Sequence, residues 1–333
     1  MNIRRLMDSR RLRTLVPLVV TVLVAVAPLF VDPFRLKIFT FVGINALVVI
    51  GLALLFGHAG QVSLGHAAFV GIGAYTCAYC MVHLHWPWLL AFAAAGVLAA
   101  LGGLVLALPS LRLKGHYLAM ATLGFGQLMS IAFTQAVPLT GGVNGIGGVP
   151  YPSIGPLKMS SAASLYWLVW VTVGIAILVA FNVTSMRPGR AMRALRGSEL
   201  GAQASGVDIV GVKVRTFVLS ALFAGLAGAL YAGVAGFVSP SDFTLTISIA
   251  FLAMAVLGGS GSLAGPLAAA VLLTVVQYID ALIPGISSDT AQAIQPYKED
   301  IYGLAIILVV IFASGGLGSL WRRRSKGVGG ETP

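Results

Sequence analysis

Charge is scarce in this chain: Asp, Glu, Lys and Arg make up 9% of its 333 residues, against roughly 25% in a soluble domain. A water-soluble fold of this length could not cover its surface with so few charges, and 58% apolar residues plus 41 glycines remain to be placed. This excludes a sizeable soluble domain and makes the chain an all-α polytopic membrane protein. At about 20 apolar residues per crossing, the composition allows about ten spans (eight to ten) joined by short links.

Cysteine is nearly absent too. Cys77 and Cys80 are the only two, which excludes a disulfide framework. Their CxxC spacing, with His83 and His85 downstream, has the form of a redox or zinc motif. It lies, however, in the apolar run GIGAYTCAYCMV and not at a helix start beside a strand. The pair reads as two small packing residues near the end of a membrane helix, and no metal site is expected. No GxxxxGK[ST] occurs, so this chain does not hydrolyse nucleotide by that route. The cluster Gly258-Gly259-Ser260-Gly261-Ser262 lacks the lysine and the preceding strand, and reads as a break between two membrane helices. All 10 acidic residues fall in links or at span ends. Ion-driven transporters usually keep a carboxylate inside the bilayer, so an autonomous channel or secondary transporter is the weaker alternative.

The net charge of +11 could suggest a nucleic-acid partner, but its placement speaks for topology. Seventeen of the 21 basic residues lie before the first apolar run, in the link at Arg112 and Lys114, in the segment from Arg187 to Arg215, and after the last run. With alternate links on one side, all of these fall together, which is the positive-inside rule. Both termini are then cytoplasmic. Residues 1–13 form a basic N-terminus, 14–320 a single membrane domain and 321–333 a basic tail.

The expected spans are 14–31, 38–56, 57–82, 88–108, 117–137, 164–183, 217–238, 243–258, 263–283 and 300–320. The triplet Ala25-Val26-Ala27 resembles a signal cleavage site, but Pro28 argues for an uncleaved helix. Asp32 to Lys37 is expected as the outer turn. Segment 57–82 carries five glycines and two histidines and is expected as a crossing with an irregular beginning. Backbone in hydrocarbon needs partners, so such a break must lie inside protein or line a cavity. Residues 138–163, rich in Gly and Pro, are expected as the largest outer loop.

Ala221, Gly225, Ala229 and Gly233 recur every four residues and form a smooth ridge that admits a second helix closely. Ser63 and His66, three apart on one helix face, could be drawn as a nucleophile and base. Nothing marks an orienting group or oxyanion hole, so hydrogen bonding between neighbouring helices is the plainer reading and no catalytic residue is expected. In segment 184–216, Arg190, Arg193 and Arg196 are spaced by three, suggesting a short interfacial helix. Glu199 to Gly206 gives a second one with a glycine stop. On its residues alone the segment is equally a plain basic link or a docking port.

The motifs GHAGQVSLGHAAFVGIGAYT (57–76), LRLKGHYLAMATLGFGQL (111–128) and TGGVNGI (140–146) resemble those of bacterial ABC importer permeases of the branched-chain amino acid, LivM-like, family. RAMRALRGSELGAQASGV (190–207), FVLSALFAGLAGALYA (217–232), GFVSP (236–240) and VLGGSGSLAGP (256–266) follow in the same order. The resemblance implies an inner-membrane permease importing branched-chain or other hydrophobic amino acids, with urea, short amides or aromatic carboxylates as alternatives within the family. It also implies a LivH-like second permease, two ATPase subunits that hold ATP and Mg, a periplasmic binding protein, and no cofactor on this chain.

The resemblance further implies that 184–216 carries a coupling helix for the ATPases, with Arg196, Glu199, Ala202, Ala204 and Gly206 in that region; the Glu-to-Gly spacing is one residue longer than the general importer pattern. Asn45, Gln61, Ser63, Thr122, Gln127, Gly141, Gly142 and Asn144 are candidates for the pathway and outer gate. With no charged residue expected in the spans, an amino acid's carboxylate would rest on backbone amides or helix N-termini.

Overall fold

A computed structural model of the chain describes residues 30–110, 115–259 and 263–278, with 28, 113 and 303 besides. The expected spans 14–31 and 300–320, the basic termini and the links around Arg112, Lys114 and Ser260 to Ser262 fall wholly or largely outside the described residues.

The helices of more than four residues are α1 (Pro33–Leu52), continued by a π-helical turn (Ala53–His58), α2 (His66–Val82), α3 (Trp88–Ser110) and α4 (His116–Gln135). Then come α5 (Ala162–Ser185), α6 (Arg187–Gly197), α7 (Glu199–Ala204), α8 (Ile209–Ala235), α9 (Leu245–Gly258) and α10 (Ala264–Gln277). Among the described residues six helical stretches are long and apolar enough to cross a membrane; α2 and α10 are shorter apolar helices.

Two boundaries differ from expectation. Asp32 to Lys37 is no turn: Pro33 opens α1 at a position where its missing N–H costs nothing. Similarly, α8 begins at Ile209 and not at 217, because the Asp208 carboxylate accepts from the Gly211 N–H at 3.0 Å and caps it there. Lys213 and Arg215, which read as link residues by charge, therefore lie in its first two turns. The helix ends at Gly236, whose φ of 73° suits a left-handed cap.

Helices α1, α2 and α8 form the centre, and α3, α4 and α5 flank it with many exposed large apolar side chains. Glycines set the close crossings. A Cβ on Gly73 of α2 would overlap the Gly225 carbonyl of α8, and one on Gly228 of α8 would overlap the Val70 carbonyl of α2. From α3, Ala95 and Ala99 abut Gly225, and Gly103 abuts Ala221. The ridge is thus buried, and Gly233 at its far end meets Pro152 and Trp88.

The loop over 138–163 is shaped by two-residue strand pairs. Ile146–Gly147 pairs antiparallel with Phe237–Val238, and Ser153–Ile154 with Leu157–Lys158. The first pair ties this loop to the turn that follows α8. A cluster of rings lies nearby, with Tyr75 against Phe133 at 4.9 Å and Phe243 at 6.0 Å between centroids.

Candidate functional site: a broken span and a basic helix pair

The chain leaves α1 through the π turn and stays non-helical from Ala59 to Gly65 before α2 starts. Gly60, with φ of 70°, reverses the backbone, and the Gln61 N–H reaches back to the Leu55 carbonyl at 3.0 Å. Gln61 and Ser63 are buried, so the break sits within protein, as irregular backbone at membrane depth requires. The level at which α2 begins is set by His66, which meets Ser220. That residue is eleven positions into α8, about 16 Å along it at 1.5 Å per residue.

The amides freed by this late start are satisfied by side chains from other helices. Leu64 N–H donates to Thr122 Oγ1 of α4 at 2.9 Å, and that hydroxyl donates on to the Ala119 carbonyl. Ala67 N–H donates to Ser248 Oγ of α9 at 3.0 Å. His66 is fully buried between two hydroxyls, its Nδ1 2.8 Å from Ser63 Oγ and its Nε2 2.7 Å from Ser220 Oγ. A neutral imidazole donates through one nitrogen and accepts through the other, so this arrangement satisfies both. Where a catalytic triad would place a carboxylate on the second nitrogen, this site has a serine, and the three residues tie α2 to α8. Cys77 is likewise spent on packing, with Sγ 3.7 Å from Met81 Sδ.

The remaining pathway candidates fall in separate places. Asn45 donates to Thr274 Oγ1 of α10 at 3.0 Å. Gln127 is exposed on α4. Gly141, Gly142 and Asn144 lie beyond α4 at the opposite end of the bundle from the basic helix pair. There Gly141 and Gly142 have φ of 73° and 62°, and a Cβ on Gly141 would overlap the Gly145 carbonyl. The structure therefore joins Gln61, Ser63 and Thr122 around the break and leaves the other five apart from it.

Helices α6 and α7 form the basic pair. Met192 and Leu195 of α6 pack on Ala59 of the break. Arg193 Nη1 donates to the Thr184 carbonyl of α5 at 3.0 Å, and Arg196 Nη1 to the Gly57 carbonyl at 2.6 Å. Ser198 caps α7 by accepting from the Gly201 N–H at 3.1 Å, and Gly206, with φ of 76°, ends the turn after it. Glu199 is ion-paired with Lys213 of α8 at 2.5 Å, and Ala202 is buried. Facing outward are Ala204, Gln203 and Leu200, the last 76% exposed. Of the five expected coupling residues, Glu199 and Ala202 thus face the bundle and Arg196 reaches it through its guanidinium from an exposed position, while Ala204 and Gly206 are exposed. Leu200 escaped the sequence reading. Its signal was the one large apolar residue in a short run of small and polar ones, just past a Ser N-cap.

Residues 34–313 match the family described as "Branched-chain amino acid transport system / permease component". The high-affinity branched-chain amino acid transport system permease protein LivM of Escherichia coli (strain K12) is 32% identical, over 93% of this chain and 76% of its own length. LivM of Salmonella typhimurium is alike in all three figures, at 32%, 93% and 76%. LivH of Salmonella typhimurium, another permease protein of that transport system, is 26% identical over 82% of this chain and 91% of its own. No solved structure matches. A family match across most of the chain, with six helical stretches among the described residues suited to spanning a membrane, places this protein among the permease components of branched-chain amino acid transport systems.

Proposed function

We propose that the chain is the permease subunit of an ATP-driven importer of branched-chain and other hydrophobic amino acids in a bacterial inner membrane. It pairs with a LivH-like permease. Two ATPase subunits dock on the α6–α7 side, and a periplasmic binding protein delivers substrate at the opposite end. ATP and Mg belong to the ATPases. Closure of the ATPases on ATP moves the docked helix pair, and the bundles tilt between inward and outward openings.

The observation that carries this reading is the build of α7. A six-residue helix is held from behind by the Glu199–Lys213 ion pair and the buried Ala202, and it presents an exposed leucine and two small or polar neighbours. Capped by Ser198 at its start and ended by Gly206, α7 is a short, anchored element with a free outer face, the form that a docking contact needs. The test is co-purification in mild detergent from the native membrane, followed by reconstitution with the binding protein. The expected result is a second permease and two ATPases at matched stoichiometry, with ATP hydrolysis stimulated by loaded binding protein. Leu200→Glu should keep the permease pair and lose most of the ATPase. A chain recovered alone and transporting without ATP would overturn the proposal.

A further inference from the structure

We infer that α6 is a crossbar whose arginines grip the ends of two spanning helices, and that Arg196 is the positioning residue through which movement of the basic helix pair reaches the broken span. This rests on the reading of the α6–α7 side as the ATPase docking face.

The last carbonyls of a helix have no partner within it and carry the negative end of its dipole. Arg193 and Arg196, one turn apart on α6, each reach such a carbonyl, on Thr184 at the end of α5 and on Gly57 at the end of the π turn that continues α1. Both bonds are charge-assisted, a class stronger than bonds between neutral groups.

Three further contacts make the grip stiff. The stem of Arg196 lies over Gly60, where a Cβ would stand 3.1 Å from Arg196 Cγ. Met192 and Leu195 pack on Ala59. A Cβ on Gly189, at the start of α6, would overlap the Thr184 carbonyl, so no gap is left between α6 and α5. Helices α1 and α5 are themselves joined, since Gly43 meets Val169 and Trp170 Nε1 donates to the Phe39 carbonyl at 3.3 Å.

A push on α6 is therefore delivered to a paired α1–α5 unit and to the first residues of the break at once. The π turn is where the span can yield, because a π-helical turn is a local exception in the helical ladder and such turns recur at functional sites. Six residues beyond Gly57, Ser63 begins the hydroxyl–imidazole link to α8.

The test uses the whole complex in proteoliposomes with its binding protein, reading uptake and ATP hydrolysis together. Arg196→Ala is expected to assemble with the ATPases as wild type does and to lose at least ten-fold in uptake per ATP. Arg196→Lys, which can still donate to the Gly57 carbonyl, should recover more than half of that loss. Wild-type uptake per ATP in Arg196→Ala overturns the inference, and so does failure of that variant to assemble, which would make Arg196 part of the ATPase contact.

A second measurement separates a crossbar from a sliding contact. Ala59→Cys with Leu195→Cys, in a background lacking Cys77 and Cys80, is cross-linked across the α6–break contact. Retained transport is expected, because the two move as one body; loss that reverses on reduction overturns it. If the wild-type complex shows no ATP-dependent uptake at all, the proposed function fails, and the crossbar falls with it for that separate reason.

Discussion

Ser220 touches two helices at once: its hydroxyl meets His66 Nε2 at 2.7 Å, and a Cβ on Gly51 of α1 would stand 2.9 Å from its carbonyl oxygen. Hydrogen bonds between membrane helices contribute about 0.6 kcal/mol on average and up to about 1.7. Ser220→Ala removes one and leaves an imidazole nitrogen unpaired in a dry site, so its effect belongs at the upper end of that range. Tyr75 makes the opposite case. Its hydroxyl is buried with no hydrogen-bond partner among the described residues, and an unmet donor in a buried site costs about 1–3 kcal/mol. In thermal unfolding of the purified complex in detergent, Ser220→Ala should lower the midpoint, whereas Tyr75→Phe should leave it unchanged or raise it. A drop for Tyr75→Phe equal to that for Ser220→Ala would contradict this account of the two sites.

At the scale of elements, the crossing of α2 with α8 depends on absent side chains. Gly73 and Gly228 face each other's helix backbone, and a Cβ at either would overlap a carbonyl oxygen. Lipid tails give no hydrophobic drive for helices to associate, so close dispersion contact is what such a crossing supplies. Gly73→Leu should abolish recovery of folded complex. By contrast, Gly174→Ala on α5, where no described residue lies within 4 Å of the added Cβ, should gain up to about 1 kcal/mol from helix propensity. Yield and unfolding midpoint read out both variants.

The same elements show what sequence could reveal. Long apolar runs announced α1, α3, α4 and α5, and glycine density announced the break before α2. The start of α8 stayed hidden because Lys213 and Arg215 look like link residues by charge, while the Asp208 cap is a local hydrogen bond that composition does not weigh. The break's partners were equally hidden. Thr122 stood out as a polar residue in an apolar run, but Ser220, Ser248 and Thr274 are serines and threonines of a kind common in spans. Only the fold shows that they complete an imidazole, an amide and an asparagine. Arg196 was placed in the right segment, though its carbonyl partner lies 139 positions away in the chain.

For the whole molecule, the division into a buried centre and flanking helices fixes which surface meets lipid or a partner permease. Leu178 on α5 and Val105 on α3 are 65% and 66% exposed, whereas Leu47 on α1 and Ala224 on α8 are fully buried. Nitroxide labels at Leu178 and Val105 should be relaxed by lipid-dissolved oxygen in the isolated chain, and labels at Leu47 or Ala224 should be shielded. Pairing with a second permease should then protect one of the two exposed sites and not both. The hydroxyl caps on α2 carry a consequence for how the chain is made. Ser248 stands 181 positions after the Ala67 amide that it caps, and Thr122 stands 58 after Leu64. At roughly 5–20 residues per second of synthesis, Thr122 emerges about 3–12 s after Leu64, and Ser248 about 10–40 s after Ala67. The insertion machinery therefore receives α2 before either cap exists, and the half-depth start of this helix is settled only when α9 arrives.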